Sequence, residues 1–177
     1  MGKNQNSGSG RHQLRSMIRC LERQGRLGQE KNYMQHGTTT VFAHSVHVAC
    51  LSLKLAGRLH LRVHRRSLLR GALLHDYFLY DWHEKDRSHR LHGLFHAETA
   101  LQNAKNDFHL NKLEENIIAR HMFPLNPIFP RYKEAWIVCL ADKYCAAEET
   151  LRPFLSGRKR LKRSSCPAIK KKAGRKR

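Results

Sequence analysis

Acidic side chains are scarce in this 177-residue chain: 14 Asp and Glu face 34 Lys and Arg, a formal charge of +20. Eleven of the cations lie in residues 157–177, which hold no acid, leaving +9 on the rest. That balance predicts attraction to phosphates and says nothing about fold. Long apolar runs are also missing. The longest, Ala135 to Ala141, has seven residues, against about 20 for a membrane span. Cysteines are five in number, at 20, 50, 139, 145 and 166, with no CxxC pair. An odd count without that spacing excludes a zinc ribbon or a disulfide framework. With no apolar leader segment, reduced thiols in a cytoplasmic protein are the expectation. Two-residue alternation bounded by hairpin turns is absent, as are repeats of 20–50 residues.

What remains is helical periodicity. Leu14, Met17, Ile18 and Leu21 form a stripe at spacings of three and four. Thr38-Thr39-Thr40 supplies cap-type residues before Val41, Ser45, Val48, Leu51, Leu55 and Leu59. Leu68, Ala72, His75 and Leu79 give a shorter helix whose end is placed near Asp81. Residues 92–108 and 112–122 read as two more helices, with Asn111 at an N-cap or turn. Pro124, Pro127 and Pro130 mark a rigid connection. A last helix runs from about Arg131 to Leu151, where Tyr132, Trp136 and Tyr144 share a face read as core. The expectation is one all-α domain over residues 12–155, between a disordered leader (1–11) and a disordered polybasic tail (156–177).

Histidine is abundant, with thirteen residues, concentrated between His36 and His121. His75-Asp76 ends a small-residue helix, Gly71-Ala72-Leu73-Leu74, and neither side chain belongs on an apolar stripe without a partner. Asp142 interrupts Cys139-Leu140-Ala141 in the same way. Imidazole nitrogen suits first-row metals, and carboxylate oxygen can bridge two ions. Adjacent His and Asp project about 100° apart on a helix, so both reach one ion only at a frayed or bent end. His44, His75, Asp76 and Asp142 would form a four-ligand site. His92 and His121 would add a second ion sharing Asp76, the two-metal clamp of phosphoester hydrolysis.

The ordered set His44, His75-Asp76 and Asp142, carried by Leu73-Leu74-His75-Asp76 and Leu140-Ala141-Asp142-Lys143, resembles the HD superfamily of metal-dependent phosphohydrolases over residues 38–150. In its binuclear branches two further histidines lie between the HD pair and the last Asp. Leu91-His92-Gly93 and Arg120-His121-Met122 fit those places. Downstream of His92, better-described branches often carry Gly where this chain has His96. The two histidines stack one turn apart, so His96 stays open as an alternative ligand, with His92 the first choice. The resemblance implies an HD-domain helical bundle with a central metal site holding Fe or Mn, in binuclear form. It also implies water activated on metal, attacking a small phosphomonoester or phosphodiester, nucleotide-like in character.

Asp76 and Lys143 are the catalytic candidates, the lysine as a contact for a phosphate oxygen. Lys85, Arg87 and Arg90, in the charged loop after the HD pair, and Arg120 are candidates for holding substrate phosphate. His47 is read as partly exposed beside the site, and His60 and His64, among Arg58, Arg62, Arg65 and Arg66, as a solvated basic face. The alternative reading is a metal-stabilised HD scaffold that binds RNA or another polyanion through residues 158–177.

Overall fold

A computed structural model of the chain describes residues 5–36, 39–80 and 92–155. Lys85, Arg87, Arg90 and the polybasic tail lie outside these residues. Among the described residues six α-helices carry the fold: α1 (Gln5–Gln24), α2 (Val41–Arg58), α3 (Arg65–Leu74), α4 (His92–Asp107), α5 (Lys112–Arg120) and α6 (Lys133–Leu155). A 3-10 helix (Leu27–Asn32) and an antiparallel pair, β1 (Met34–His36) with β2 (Thr39–Thr40), lie between α1 and α2. Strands of three and two residues are too short to show a period, which is why the sequence gives no sign of them. α1 begins at Gln5, inside the stretch read as leader.

Local signals set the helix starts. The Thr40 hydroxyl accepts from the Ala43 N–H (3.2 Å), capping α2. Asn111 and Glu114 form a full capping box on α5, with Asn111 Oδ1 accepting from the Glu114 N–H at 2.9 Å. Such caps contribute about 1 kcal/mol each. α2 packs against α3 and α6, and α5 joins α3, α4 and α6. Leu21, Leu27, Val48, Leu68, Leu69, Leu73, Ile117 and Val138 fill the space between them, fully buried or nearly so. Each such side chain stabilises the fold by about 1.5–3 kcal/mol relative to exposure.

α3 and α5 meet at Gly71, where an added Cβ would lie 2.7–2.9 Å from three carbons of Ile117. Alanine is the better helix former by about 1 kcal/mol, but the overlap outweighs it. Gly71→Ala is therefore expected to cost about 1–3 kcal/mol, read as a lowered Tm. An unchanged Tm would mean that α5 yields freely. The position matters because Gly71 is one turn before His75.

The sequence carries α3 to about Asp81, whereas the helix ends at Leu74 and residues 75–78 form a buried turn. Asn103 of α4 donates to the carbonyls of Tyr77 (3.1 Å) and Phe78 (2.9 Å), and the Tyr77 hydroxyl donates to Asp107 (2.6 Å). The two amide bonds satisfy buried carbonyls of the turn, and the hydroxyl bond ties the turn to α4. The aromatic face of α6 also departs from its reading as core: Tyr132, Trp136 and Tyr144 are 39%, 37% and 62% exposed. The buried face of α6 is instead Ala135, Val138, Asp142, Cys145 and Glu149.

Candidate metal centre

Two helices and two helix-ending turns converge on the candidate site. His44 sits one turn into α2, His75 and Asp76 follow α3 directly, His121 follows α5, and Asp142 lies midway along α6. All five are buried among apolar neighbours. The early end of α3 is what lets His75 and Asp76 face the same point, because a turn frees them from helical projection.

Two sets of ligand atoms form around Asp76. The first, from His44, His75, Asp76 and Asp142, has all its atoms within 4.8 Å of one another; the second is Asp76, His96 and His121. Asp76 Oδ2 lies 3.3 Å from His75 Nε2 and 3.8 Å from His44 Nε2. Its other oxygen, Oδ1, lies 3.3 Å from His96 Nε2 and 3.4 Å from His121 Nε2. Asp142 Oδ1 completes the first set, 3.0 Å from His44 Nε2 and 3.6 Å from His75 Nε2.

The outer ring nitrogens fix the tautomers. His75 Nδ1 donates to the Ala72 carbonyl (2.9 Å) and His121 Nδ1 to the Ile118 carbonyl (2.8 Å). A carbonyl can only accept, so the proton resides on Nδ1 and the Nε2 lone pair faces inward. His44 follows the same rule through a carboxylate, with Nδ1 2.9 Å from Glu149 Oε2. This is the arrangement by which outer partners orient metal-ligating histidines.

The donor set fits a divalent cation. His75 Nε2 and Asp76 Oδ1 are buried without a hydrogen-bond partner, and His96 Nε2 and His121 Nε2 approach to 3.0 Å. A cation between such atoms removes the cost of burying them unpaired. Imidazole and carboxylate without thiolate match Fe, Mn, Co or Ni.

Electrostatics agree with the geometry. Burial alone would raise the Asp76 carboxyl, but the charge interaction with His75 and the close ring nitrogens of His121 and His96 hold it well below the carboxylate range. Asp142 is likewise lowered, by the close ring nitrogens of His44 and His75, which outweigh its burial. Burial works against charge on His44, yet its bonds to Asp142 and Glu149 push it up to about 10. Burial dominates at His121 and lowers it.

The remaining candidates are placed as follows. His96 is buried at 5% exposure and stands in the second set, whereas the His92 side chain lies outside the described residues. The Lys143 ammonium donates to the His121 carbonyl (2.8 Å) and the Cys139 sulfur (3.4 Å). Arg120 is half-buried beside His121. His47 is partly exposed, with Nδ1 3.2 Å from Glu149 Oε1.

Three neighbours went unread in the sequence. Gln35, on β1, donates to Asp76 Oδ2 at 2.6 Å. Glu149 stands seven residues after Asp142, two turns along the same face of α6. Glu30 is fully buried, and burial, then the nearby Asp76 charge, raises its carboxyl well above the ordinary range.

No curated protein and no solved structure matches the chain. The family model described as HD domain matches residues 41–147, a span that holds every residue of both ligand sets, and the chain belongs to this superfamily of metal-dependent hydrolases.

Proposed function

We propose that this chain hydrolyses a phosphomonoester or phosphodiester of a nucleotide, using two divalent ions, Fe or Mn, held on either side of Asp76. The observation that carries this reading is the division of Asp76, with one oxygen turned to His44 and His75 and the other to His96 and His121. His44, His75, Asp76 and Asp142 would hold the first ion, and Asp76, His96 and His121 the second, with His92 the alternative to His96. Such a pair supplies Lewis acidity toward phosphoryl oxygens and lowers the pKa of a coordinated water towards 7.

The chain's own residues orient and confine. Gln35 fixes one oxygen of Asp76, and the carbonyls of Ala72 and Ile118 keep the lone pairs of His75 and His121 turned inward. Lys143 acts here by steadying His121 through its carbonyl; it meets a phosphate oxygen only by leaving that bond. Arg120, Arg87 and Arg90 are the proposed phosphate contacts, with guanidinium forks suited to two phosphoryl oxygens at once, and Lys85 adds the point charge of its ammonium.

The test is a phosphoester screen on metal-loaded protein, covering p-nitrophenyl phosphate, its bis-ester and a panel of nucleotides. Turnover stimulated by Fe or Mn and removed by a chelator is expected. No turnover of any ester after loading with either metal would contradict the proposal.

A further inference from the structure

Away from the metal centre, the α2–α3 connection gathers cations with few acids to balance them. Between residues 5 and 70 there are twelve Lys and Arg against two acids, Glu22 and Glu30. Glu30 is buried, and Glu22 is bonded to Lys31. Arg58, His60, Arg62, Arg65 and Arg66 are all exposed. None of the four arginines pairs with an acid among the described residues; Arg65 donates only to Gln13, at 3.3 Å. That contact, with Arg65 Nη2 3.4 Å from the place of a Gly10 Cβ, sets the first turns of α1 and the exposed Arg11 and Arg15 beside this end. Glu134, the nearby acid of α6, is buried and accepts from the His64 N–H at 2.9 Å; one carboxylate leaves four arginines well in excess.

The fold holds this surface in one shape. Leu61 N–H donates to the Ala56 carbonyl (2.9 Å) and His60 N–H to the Gly57 carbonyl (3.3 Å), closing α2 with the paired bonds of a Schellman end. His60 takes the left-handed position, φ 51°, and is exposed like Arg58 and Arg62 on either side of it in the sequence. Along α2 and α3 the cluster stands about 15–21 Å from His44 and His75, at about 1.5 Å per residue. The cluster shares no residue with either ligand set or with residues 156–177.

We propose that this end of the bundle docks a single-stranded nucleic acid along its sugar–phosphate backbone. The cations of residues 58–66 are all arginine, whose planar fork spans two phosphodiester oxygens and whose face, like the His60 ring, stacks on unpaired bases. An anionic bilayer would call for a broad apolar face; here only Leu59 and Leu61 are exposed among the arginines. The surface tethers the domain to a strand without placing that strand at the metal centre.

The experiment uses the full chain and a 20-nucleotide RNA, with DNA of the same sequence in parallel, titrated across salt concentrations. Arg58→Glu with Arg62→Glu and Arg66→Glu is expected to weaken binding at least tenfold at 100 mM salt. It should also make the slope of log K on log salt shallower by about 2, at roughly 0.7 per lost contact. Helix content and metal-dependent hydrolysis should stay at the wild-type level, since these arginines touch none of the ligand residues. The same three positions changed to Gln provide a milder set, expected to shift the slope in the same direction. An unchanged affinity and slope would assign all binding to residues 156–177 and overturn the proposal. So would binding to phosphatidylserine vesicles with no binding to either strand. Neither result bears on the metal centre, because no residue is shared.

Discussion

Asp76→Asn is expected to lower kcat/KM for a phosphodiester by roughly 10³-fold, about 4 kcal/mol of barrier, while the helix content stays intact. Asn keeps the shape and one acceptor oxygen but replaces the second oxygen with a donor and removes the negative charge. Both ligand sets lose a member at once, since Asp76 Oδ2 faces His44 and His75 while Oδ1 faces His96 and His121. Excess Mn should not restore the rate, because the loss lies in the chemistry of the ligand as well as in occupancy. Comparing His96→Ala with His92→Ala in the same assay separates the two histidines. His96→Ala should fall with Asp76→Asn, and His92→Ala should stay within a few-fold of wild type. The reverse order would return the second site to His92.

Glu149→Ala should weaken metal binding by about 10–100-fold, the usual effect of removing an outer partner of a ligating histidine. Glu149 holds His44 Nδ1 at 2.9 Å and His47 Nδ1 at 3.2 Å, and is itself 5% exposed. Burial would raise its carboxyl, but hydrogen bonds from His44 and His47 bring it down to about 2. A carboxyl lowered on folding stabilises the protein above its unfolded pKa, and that contribution is lost as pH falls from about 4.5 to about 2. The acid limb of wild-type stability should therefore move to higher pH in Glu149→Ala. On the alkaline side, His44 in the metal-free protein is pushed up to about 10 by Asp142 and Glu149. A proton and a metal then compete for its Nε2, so apparent metal affinity should rise with pH across the neutral range. Without Glu149, His44 gives up its proton at lower pH, and that rise should begin earlier. Competition with a fluorescent chelator at several pH values measures both the affinity and the shift. An affinity equal to wild type at every pH would reduce Glu149 to a packing residue.

Much of the centre could be read before any coordinates. His75, Asp76 and Asp142 stood out because each sits against an apolar helical stripe, and a buried ionisable group needs a partner; His44 joined them through the ordered set that carries the resemblance. His121 followed from the resemblance, which sets two histidines between the HD pair and the last Asp. The choice between His92 and His96 was beyond periodicity, because residues one turn apart share a helix face. His96 is distinguished by its burial beside Asp76 and His121, and burial comes from packing, which a period does not show. Glu149 was missed for a related reason: beside Glu148 it reads as a surface acid, and only the α2–α6 contact turns it toward His44. Trp136 and its neighbours were misread as core because a period reveals that a helix has an apolar face without saying which face meets the bundle. Gln35 belongs to a strand too short to carry any pattern.

The most direct measurement is metal content per chain, by mass spectrometry on protein purified without chelator or affinity metal. Wild type and Asp76→Ala should be prepared side by side. The expected result is Fe or Mn approaching two equivalents in the wild type, as a two-ion clamp requires, and little in the variant. No transition metal in the wild type, even after reconstitution with Fe or Mn, would contradict the assignment of these buried histidines and carboxylates as a metal centre.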